Sequence, residues 1–378
     1  MRIAINCRML IPDKLEGIGW FIYETTKRMI RNHPEDTFLL LFDRRPDEKL
    51  FNFPNVEKIH AMPQARHPLL FKWWLDYSVP AMLKNKEADV FASFDGFNST
   101  RLKVPTYLVI HDLAWLHYPG FVSGNHLNYY KKNVPRFLAS ADGLGTVSEF
   151  SKEDLVSSYN IDPDKIDVVY NGCRPVFRPL HPREKELVKQ EWGIRHPYFI
   201  FTGSIHPRKN AVNLIRAYNH FRFRSHLTHS LIFAGRRAWK TDLFDKELEN
   251  SPFKKQIKVT GYVSDEEMAQ LLGASEALIY PSLFEGFGVP LLEAMNAEVP
   301  IITSGVSSMP EVVGDAAILI DPKNPQSIGS AMYDLANNEN LHSQLVEKGR
   351  RQRVKFSWDQ TAGMLYQNIV RTAGRVKN

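Results

Sequence analysis

Two doubly wound parallel α/β domains in tandem are the fold this sequence predicts, and three observations carry that expectation. At 378 residues the chain is longer than a single core usually organises, so two domains are the natural division. Short apolar, β-branched runs alternate with longer helical patterns, as expected of parallel strands covered on both faces. A proline-rich stretch, CRPVFRPLHPREKE from Cys173 to Glu186, interrupts the alternation. It suits neither a central strand nor a regular helix.

In order, the first half predicts strands at RIAINC, TFLLLF, VEKIHAM, DVFAS, TYLVIHD, GLGTVS and IDVVYNG. The second half predicts them at YFIFTGS, SLIFAG, IKVTGY, ALIYPS, PIITS and AAILID. Each run is rich in Val, Ile and aromatic residues, which suits a pleated, buried surface. The expected domains are 1–177 and 190–356. The tail FSWDQTAGMLYQNIVRTAG reads as a helix, placed at 357–378, that packs back on the first domain.

Composition narrows the class. A hydrophobic fraction of 43% is that of an ordinary globular protein, so most of the chain should fold. Two cysteines, Cys7 and Cys173, cannot build a disulfide framework and suit a reducing compartment such as the cytoplasm. The start, MRIAINCRM, reads as a first buried strand and not a signal peptide. No apolar run reaches the length of about 18 residues that a membrane span needs. The net charge of +6 favours an anionic partner: a nucleotide, an acidic membrane surface or a nucleic acid.

Ligands of doubly wound sheets bind beyond the carboxyl ends of the strands, and the motifs that could carry chemistry fall there. After YFIFT comes GSIHPRKN, where Gly203 permits a tight turn and Arg208 and Lys209 set two cations near a helix start. Such a pair offers a planar fork and a compact charge to phosphate oxygens. A solvated basic turn is the plainer reading of that stretch alone. After ALIYPS comes FEGFGVPLLEAM. Gly286 and Gly288 let backbone approach a ligand, and Pro290 suits the first turn of a helix beginning near Val289. Glu285 then lies on the loop and Glu293 about one turn into the helix. A hydrolytic carboxylate pair would also use two acids. A glycine loop leading into a helix N-terminus is instead what anion binding requires. Either acid alone reads as a helix cap or dipole complement; the whole constellation does not.

The run PSLFEGFGVPLLEAMNAEVPIITS resembles the donor-site signature of glycosyltransferase family 4, retaining enzymes of the GT-B fold. The resemblance extends through GSIHPRKN, GYVSDEEMAQLL and SSMPEVVGDAAILIDP. In the first half it takes in GIGWFIYE, VIHDLAW, GTVSEFSKEDL and VVYNG. It implies two Rossmann-like domains facing across a cleft, the first on the acceptor side and the second holding the donor. Arg208 and Lys209 would bind the donor diphosphate, with Gly19, Gly288 and Val289. Glu285, Gly286, Phe287 and His111 would meet the donor sugar. Glu293 would hold the ribose, and Tyr262 and Val263 would border the nucleobase. Gly17 and Gly19 resemble a glycine loop that closes over donor and acceptor. His111, Glu285, Arg208 and Lys209 form the implied catalytic set.

Family members are generally metal-independent, and no metal or cofactor is expected. The pair Asp162 and Asp164 could suggest a metal-binding DxD, but it precedes its strand, where a turn is the plainer reading. His111 alone would read as a satisfied core histidine. Next to Asp112 at a strand end it becomes a candidate for sugar contact or proton handling. The expected co-substrate is a nucleotide-sugar, GDP-mannose favoured by overall similarity to mannosyltransferase-type members and UDP-hexoses left open. The expected acceptor is a saccharide or a lipid-linked one, with the enzyme cytoplasmic or peripheral at the inner membrane face. The other readings are a GT-B epimerase or phosphorylase, or a non-catalytic module binding polysaccharide or nucleic acid. Nucleic acid is not the expected partner, because no continuous basic face is evident.

Two aromatic stretches stand outside these motifs. HPLLFKWWLDY, His67 to Tyr77, reads as a core helix face with Lys72 outward, in preference to a membrane-docking patch, because large aromatics are usually buried. FRFRSH, from Phe221, reads as the end of a helix.

Overall fold

The computed structural model describes residues 1–11 and 15–375. The chain divides into two compact units, one of Met1–Asn171 with Phe356–Asn378, the other of Gly172–Lys355. Residues 172–177, grouped above with the first domain, therefore belong to the second unit.

The first unit is built on seven parallel strands. They are β1 (Arg2–Asn6), β2 (Thr37–Phe42), β3 (Val56–His60), β4 (Val90–Ser93), β5 (Thr106–Ile110), β6 (Gly143–Thr146) and β7 (Ile166–Val168). Their order is β3-β2-β1-β4-β5-β6-β7, so the chain winds one way from β1 and then returns to wind the other way from β4. The strand centres are sealed: Ile3, Phe38, Leu40, Phe91 and Leu108 are fully buried. The closing helix Trp358–Arg375 packs on the helix Gly17–Asn32 and on β5. Thr361 fixes it by donating to the Tyr170 carbonyl at 2.6 Å.

The second unit holds β8 (Tyr198–Thr202), β9 (Ser230–Ala234), β10 (Ile257–Gly261), β11 (Ala277–Tyr280), β12 (Ile301–Ser304) and β13 (Ala317–Ile320). These six strands are also parallel, in the order β10-β9-β8-β11-β12-β13. The winding reverses between β8 and β11, which pair in the register Ala277↔Phe199 and Leu278↔Ile200. A crevice beyond the carboxyl ends forms at such a reversal, because the two connections leave to opposite sides. Both GSIHPRKN and FEGFGVPLLEAM leave from these two strands. Every strand expected from sequence is present, and each is short; helices connect most of them, while β2–β3 and β4–β5 are joined by loops.

The stretch His67–Tyr77 corrects one expectation. Trp74 and Leu75 are buried, and the Trp74 indole donates to the Ala61 carbonyl at 2.8 Å. Lys72 does face solvent, but so do Leu69, Leu70, Trp73 and Tyr77. The segment is apolar on more than one face, and a single helix can bury only one against its sheet. FRFRSH does close a helix, Ala211–Arg224.

Candidate active site

Arg208 and Lys209 lie in a single 3-10 turn, Pro207–Lys209, one residue before the helix Ala211–Arg224. The turn is entered through His206, whose ring accepts from the Arg208 N–H. It is left through Asn210, which takes the left-handed conformation at φ 61°. That strained residue is anchored: its side-chain amide donates to the carbonyls of Pro281 at 3.0 Å and Pro322 at 2.7 Å. The two cations are thus held on a fixed turn, with the Leu283 N–H donating to the Arg208 carbonyl at 2.9 Å.

What they face is Glu285. The Arg208 guanidinium is 2.9 Å from one carboxylate oxygen, and the Lys209 ammonium is 2.9 Å from the other. Ser282 donates to that second oxygen at 2.7 Å and the Tyr280 hydroxyl at 3.1 Å. Lys209 also contacts the Tyr280 hydroxyl and lies 4.6 Å from the centre of its ring. Burial by itself would raise the Glu285 pKa. The two cations outweigh it, and the carboxyl is held at about 2. The backbone around Glu285 is fixed as well: its N–H donates to the Ser307 hydroxyl, and Ser308 donates to its carbonyl. One acid between two cations leaves the cluster with one net positive charge and three groups already aligned.

The loop continues through Gly286 and a buried Phe287 to Gly288. Gly288 is the N-cap of the helix Val289–Asn296 at φ 94°, a conformation that side chains disfavour. Pro290 occupies the first turn, as expected of a residue with no N–H to place. The first N–H groups of this helix remain without intrahelical partners, which makes its start a place for anions.

Glu293, one turn in, is buried, and burial holds its carboxyl above the usual carboxylate range. Its partner is a residue that the sequence reading missed. Arg174 reaches Glu293 at 2.8 Å and Asp265 at 2.5 Å, while its guanidinium stacks 4.9 Å from the Phe177 ring. Arg174 sits in the stretch read as an interdomain break. The available signal was that it lies two residues beyond the strand-end motif VVYNG.

Tyr262 and Val263 follow β10, Tyr262 largely exposed and Val263 buried. The next helix, Asp265–Gly273, starts with a reciprocal capping box between Ser264 and Glu267. In the first unit, His111 follows β5 directly. Its Nε2 lies 2.8 Å from the Phe94 carbonyl, and Phe21 meets the ring edge-on with centres 5.0 Å apart. A carbonyl can only accept, so Nε2 carries the proton. Burial pulls the pKa down, leaving a neutral imidazole with Nδ1 as an acceptor. Asp112 is used locally, accepting from the Ala114 N–H.

Gly17 and Gly19 differ from expectation: they form the first turn of the helix Gly17–Asn32 and not a loop. Gly19 is tightly packed: a Cβ there would lie 3.1 Å from the Met9 carbonyl oxygen, so a side chain would need its neighbours to give by a few tenths of an ångström. Asp162 caps the 3-10 turn Pro163–Lys165 that contains Asp164, accepting from the Asp164 N–H at 3.0 Å.

Comparison with known proteins fits this geometry. Residues 15–177 match the model described as Glycosyltransferase Family 4, and residues 182–352 match that of Glycosyl transferases group 1. The two models meet end to end across most of the chain. The chain belongs to glycosyltransferase family 4. Among curated relatives, O-antigen chain mannosyltransferase B of Escherichia coli is 31% identical over 66% of this chain and 66% of its own length. Serotype-specific mannosyltransferase WbdA of Escherichia coli is 24% identical over 70% of this chain but only 33% of its own. The matched stretch therefore spans about two thirds of one relative and a third of the other. Among solved structures, Anabaena HepE in complex with UDP and glucose superposes with a TM-score of 0.76 at 15% identity, covering 98% of this chain and 99% of that one. The fold of the family 4 chain is GT-B, a pair of parallel α/β units with seven and six strands.

Proposed function

We propose that this chain transfers a hexose, mannose favoured, from a nucleoside-diphosphate sugar to a saccharide or lipid-linked acceptor, with retention of anomeric configuration. The observation that carries the reading is the Arg208–Lys209–Glu285 cluster at the reversal of the second sheet. In the reaction, the bond between the sugar's anomeric carbon and the diphosphate oxygen breaks, and a bond to an acceptor hydroxyl oxygen forms. The hydroxyl proton passes to the leaving phosphate. Negative charge grows on the diphosphate, and Arg208 and Lys209 are fixed cations in reach of it. Preorganised charge of this kind lowers the barrier without reorganisation at the moment of reaction. The N–H groups at Gly288 and Val289 add the helix start to the same cradle.

In this reading Glu285 holds the cations in place and accepts from the donor sugar's hydroxyls, with Gly286 and Phe287 as backbone contacts. Glu293 accepts from the ribose diol, and Tyr262 and Val263 border the base. His111, neutral with a free acceptor nitrogen, serves sugar contact and not cationic catalysis. The first unit then supplies the acceptor side and the second the donor side. Mannose is supported by the names of the curated relatives, whereas the superposed Anabaena structure holds UDP and glucose, so the donor base is the open variable. Work at the cytoplasmic face of a membrane is part of the same proposal.

The test is a panel of nucleotide-sugars screened by thermal shift, then mass spectrometry of products. A ligand bound to the folded state raises its stability by mass action. GDP-mannose is expected to stabilise most and to be consumed with an acceptor. Free sugar released without acceptor would favour an epimerase or hydrolase. Absence of both stabilisation and turnover across the panel would remove the reading.

A further inference from the structure

The first sheet has a reversal of its own, between β1 and β4, which pair in the register Ile3↔Val90 and Ala4↔Phe91. By the rule applied to the second sheet, a crevice opens beyond the carboxyl ends there. Arg8 follows β1, Asp95 follows β4, and His111 and Asp112 follow the neighbouring β5. Arg8 donates to Asp95 at 2.9 Å, and its guanidinium lies 4.7 Å from the centre of the Phe71 ring and 5.5 Å from that of Phe97. Asp95 is buried and also accepts from the Ser93 hydroxyl at 3.0 Å. The cation at this reversal is therefore already neutralised. At the next residue, Gly96 takes φ 81°, with open space where a side chain would stand. Three groups at the rim keep hydrogen-bonding capacity that no described residue uses. Asp112 gives one oxygen to the Ala114 N–H and keeps the other. His111 spends its Nε2 proton on the Phe94 carbonyl and keeps Nδ1 as an acceptor. Tyr130 packs against Trp115 with ring centres 5.6 Å apart, and its hydroxyl has no described partner. That hydroxyl lies in the field of Asp112, Arg8 and Asp95, and burial keeps it protonated. One cation and two carboxylates leave the crevice with one net negative charge, although the whole chain carries +6.

We propose that this crevice takes the acceptor by a neutral, hydroxyl-rich sugar residue and rejects acceptors whose reacting unit carries a phosphate or a carboxylate. The proposal rests on the transfer reading and deepens it, since that reading leaves the acceptor's charge open. Asp112 and His111 Nδ1 are acceptors for neighbouring sugar hydroxyls, and the Tyr130 hydroxyl is a donor to a sugar oxygen; a polyol answers both kinds of group at once. An anionic unit meets a different field. It would face Asp112 as a like charge. It could gain Arg8 only by separating that cation from Asp95, which would leave a buried carboxylate unpaired. The net charge of the chain would suggest an anionic acceptor, and the local arrangement argues the opposite.

The experiment is saturation-transfer NMR on the full chain, with the methyl α-glycosides of mannose, glucose and galactose as probes. Each is run beside the uronate in which its primary alcohol is oxidised to a carboxylate. At least one neutral glycoside should bind, and its uronate at least about 10-fold more weakly, the effect of one like charge. Tyr130→Phe, which keeps the ring against Trp115, should weaken the neutral probe about fivefold. Asp112→Asn should weaken it about 10-fold, as a hydrogen bond to a charged group exceeds one to a neutral group. Circular dichroism checks that both variants fold. The inference is overturned if no neutral glycoside binds, if a uronate binds as tightly as its neutral counterpart, or if both variants bind the neutral probe like the parent. Calorimetric titration of GDP and UDP separates it from the donor reading. Nucleotide bound without any glycoside would remove this inference and leave the donor site standing; glycoside bound without any nucleotide would do the reverse.

Discussion

Replacing Glu285 by Gln removes one charge from a buried group of three while keeping its shape. Arg208 and Lys209 each lie 2.9 Å from the carboxylate they would lose. The carboxyl is held at about 2, against a usual 4.5. That difference of roughly 2.5 units, at about 1.4 kcal/mol per unit, corresponds to about 3 kcal/mol of stability. Because the folded value is depressed, the contribution is complete above pH 4.5 and is lost as pH falls through 2. Parent and variant should therefore differ by about 3 kcal/mol at pH 7, with the gap narrowing by about 2 kcal/mol by pH 3. Urea unfolding at pH 7, 4 and 3 reads it directly, the midpoints of the second unit giving the gap at each pH. A gap that stays constant or widens as pH falls would show that the cations do not hold Glu285 as argued.

Other outcomes follow from the same geometry. Lys209→Ala should weaken nucleoside-diphosphate affinity about 10–100-fold, the range of one charge-assisted hydrogen bond, as read by calorimetric titration; unchanged affinity would place the diphosphate elsewhere. Arg174→Met leaves Glu293 buried without its cation. Its carboxyl, already raised by burial, should rise further, and a raised acid gives stability that is lost as pH rises. The variant should thus unfold at lower urea at pH 8 than at pH 5, relative to the parent, and a parallel shift at both would refute the pairing. Gly235→Ala places a Cβ 2.1 Å from the Gly203 carbonyl oxygen at φ 149°. It should cost at least about 3 kcal/mol, seen as a lower unfolding midpoint; a stability equal to the parent's would mean the two strand ends are looser than described.

Most strands were legible because they are short runs rich in apolar and β-branched residues, and the central ones, such as β1, β2, β5, β8 and β11, are buried along nearly their whole length. The loop-to-helix turn at Gly288 was legible for a local reason too: glycine and Pro290 encode it in adjacent positions. The links between distant elements were not. Arg208 and Glu285 meet although Arg208 donates to a carbonyl 76 residues away, and only the adjacency of β8 and β11 creates that contact. Arg174 was hidden by its neighbours, since the prolines around it read as an empty connection, although Pro182 opens the helix Pro182–Glu191. Leu69, Trp73 and Tyr77 were misread because hydrophobicity shows that a side chain avoids water, and not which of two faces finds cover. Gly17 and Gly19 were expected in a loop on the family resemblance; they instead open a helix, where Gly19 lies close to the Met9 carbonyl.

The central claim is that Arg208 and Lys209, paired with Glu285 in the resting cluster, are the cations of the donor diphosphate site. Calorimetric titration of GDP and of UDP into the parent, Glu285→Gln and the double variant Arg208→Ala with Lys209→Ala tests it most directly. At least one nucleotide should bind the parent. It should bind Glu285→Gln no more weakly, because the two cations are then uncompensated, and bind the double variant at least about 100-fold more weakly. Equal affinity across all three proteins would contradict the account.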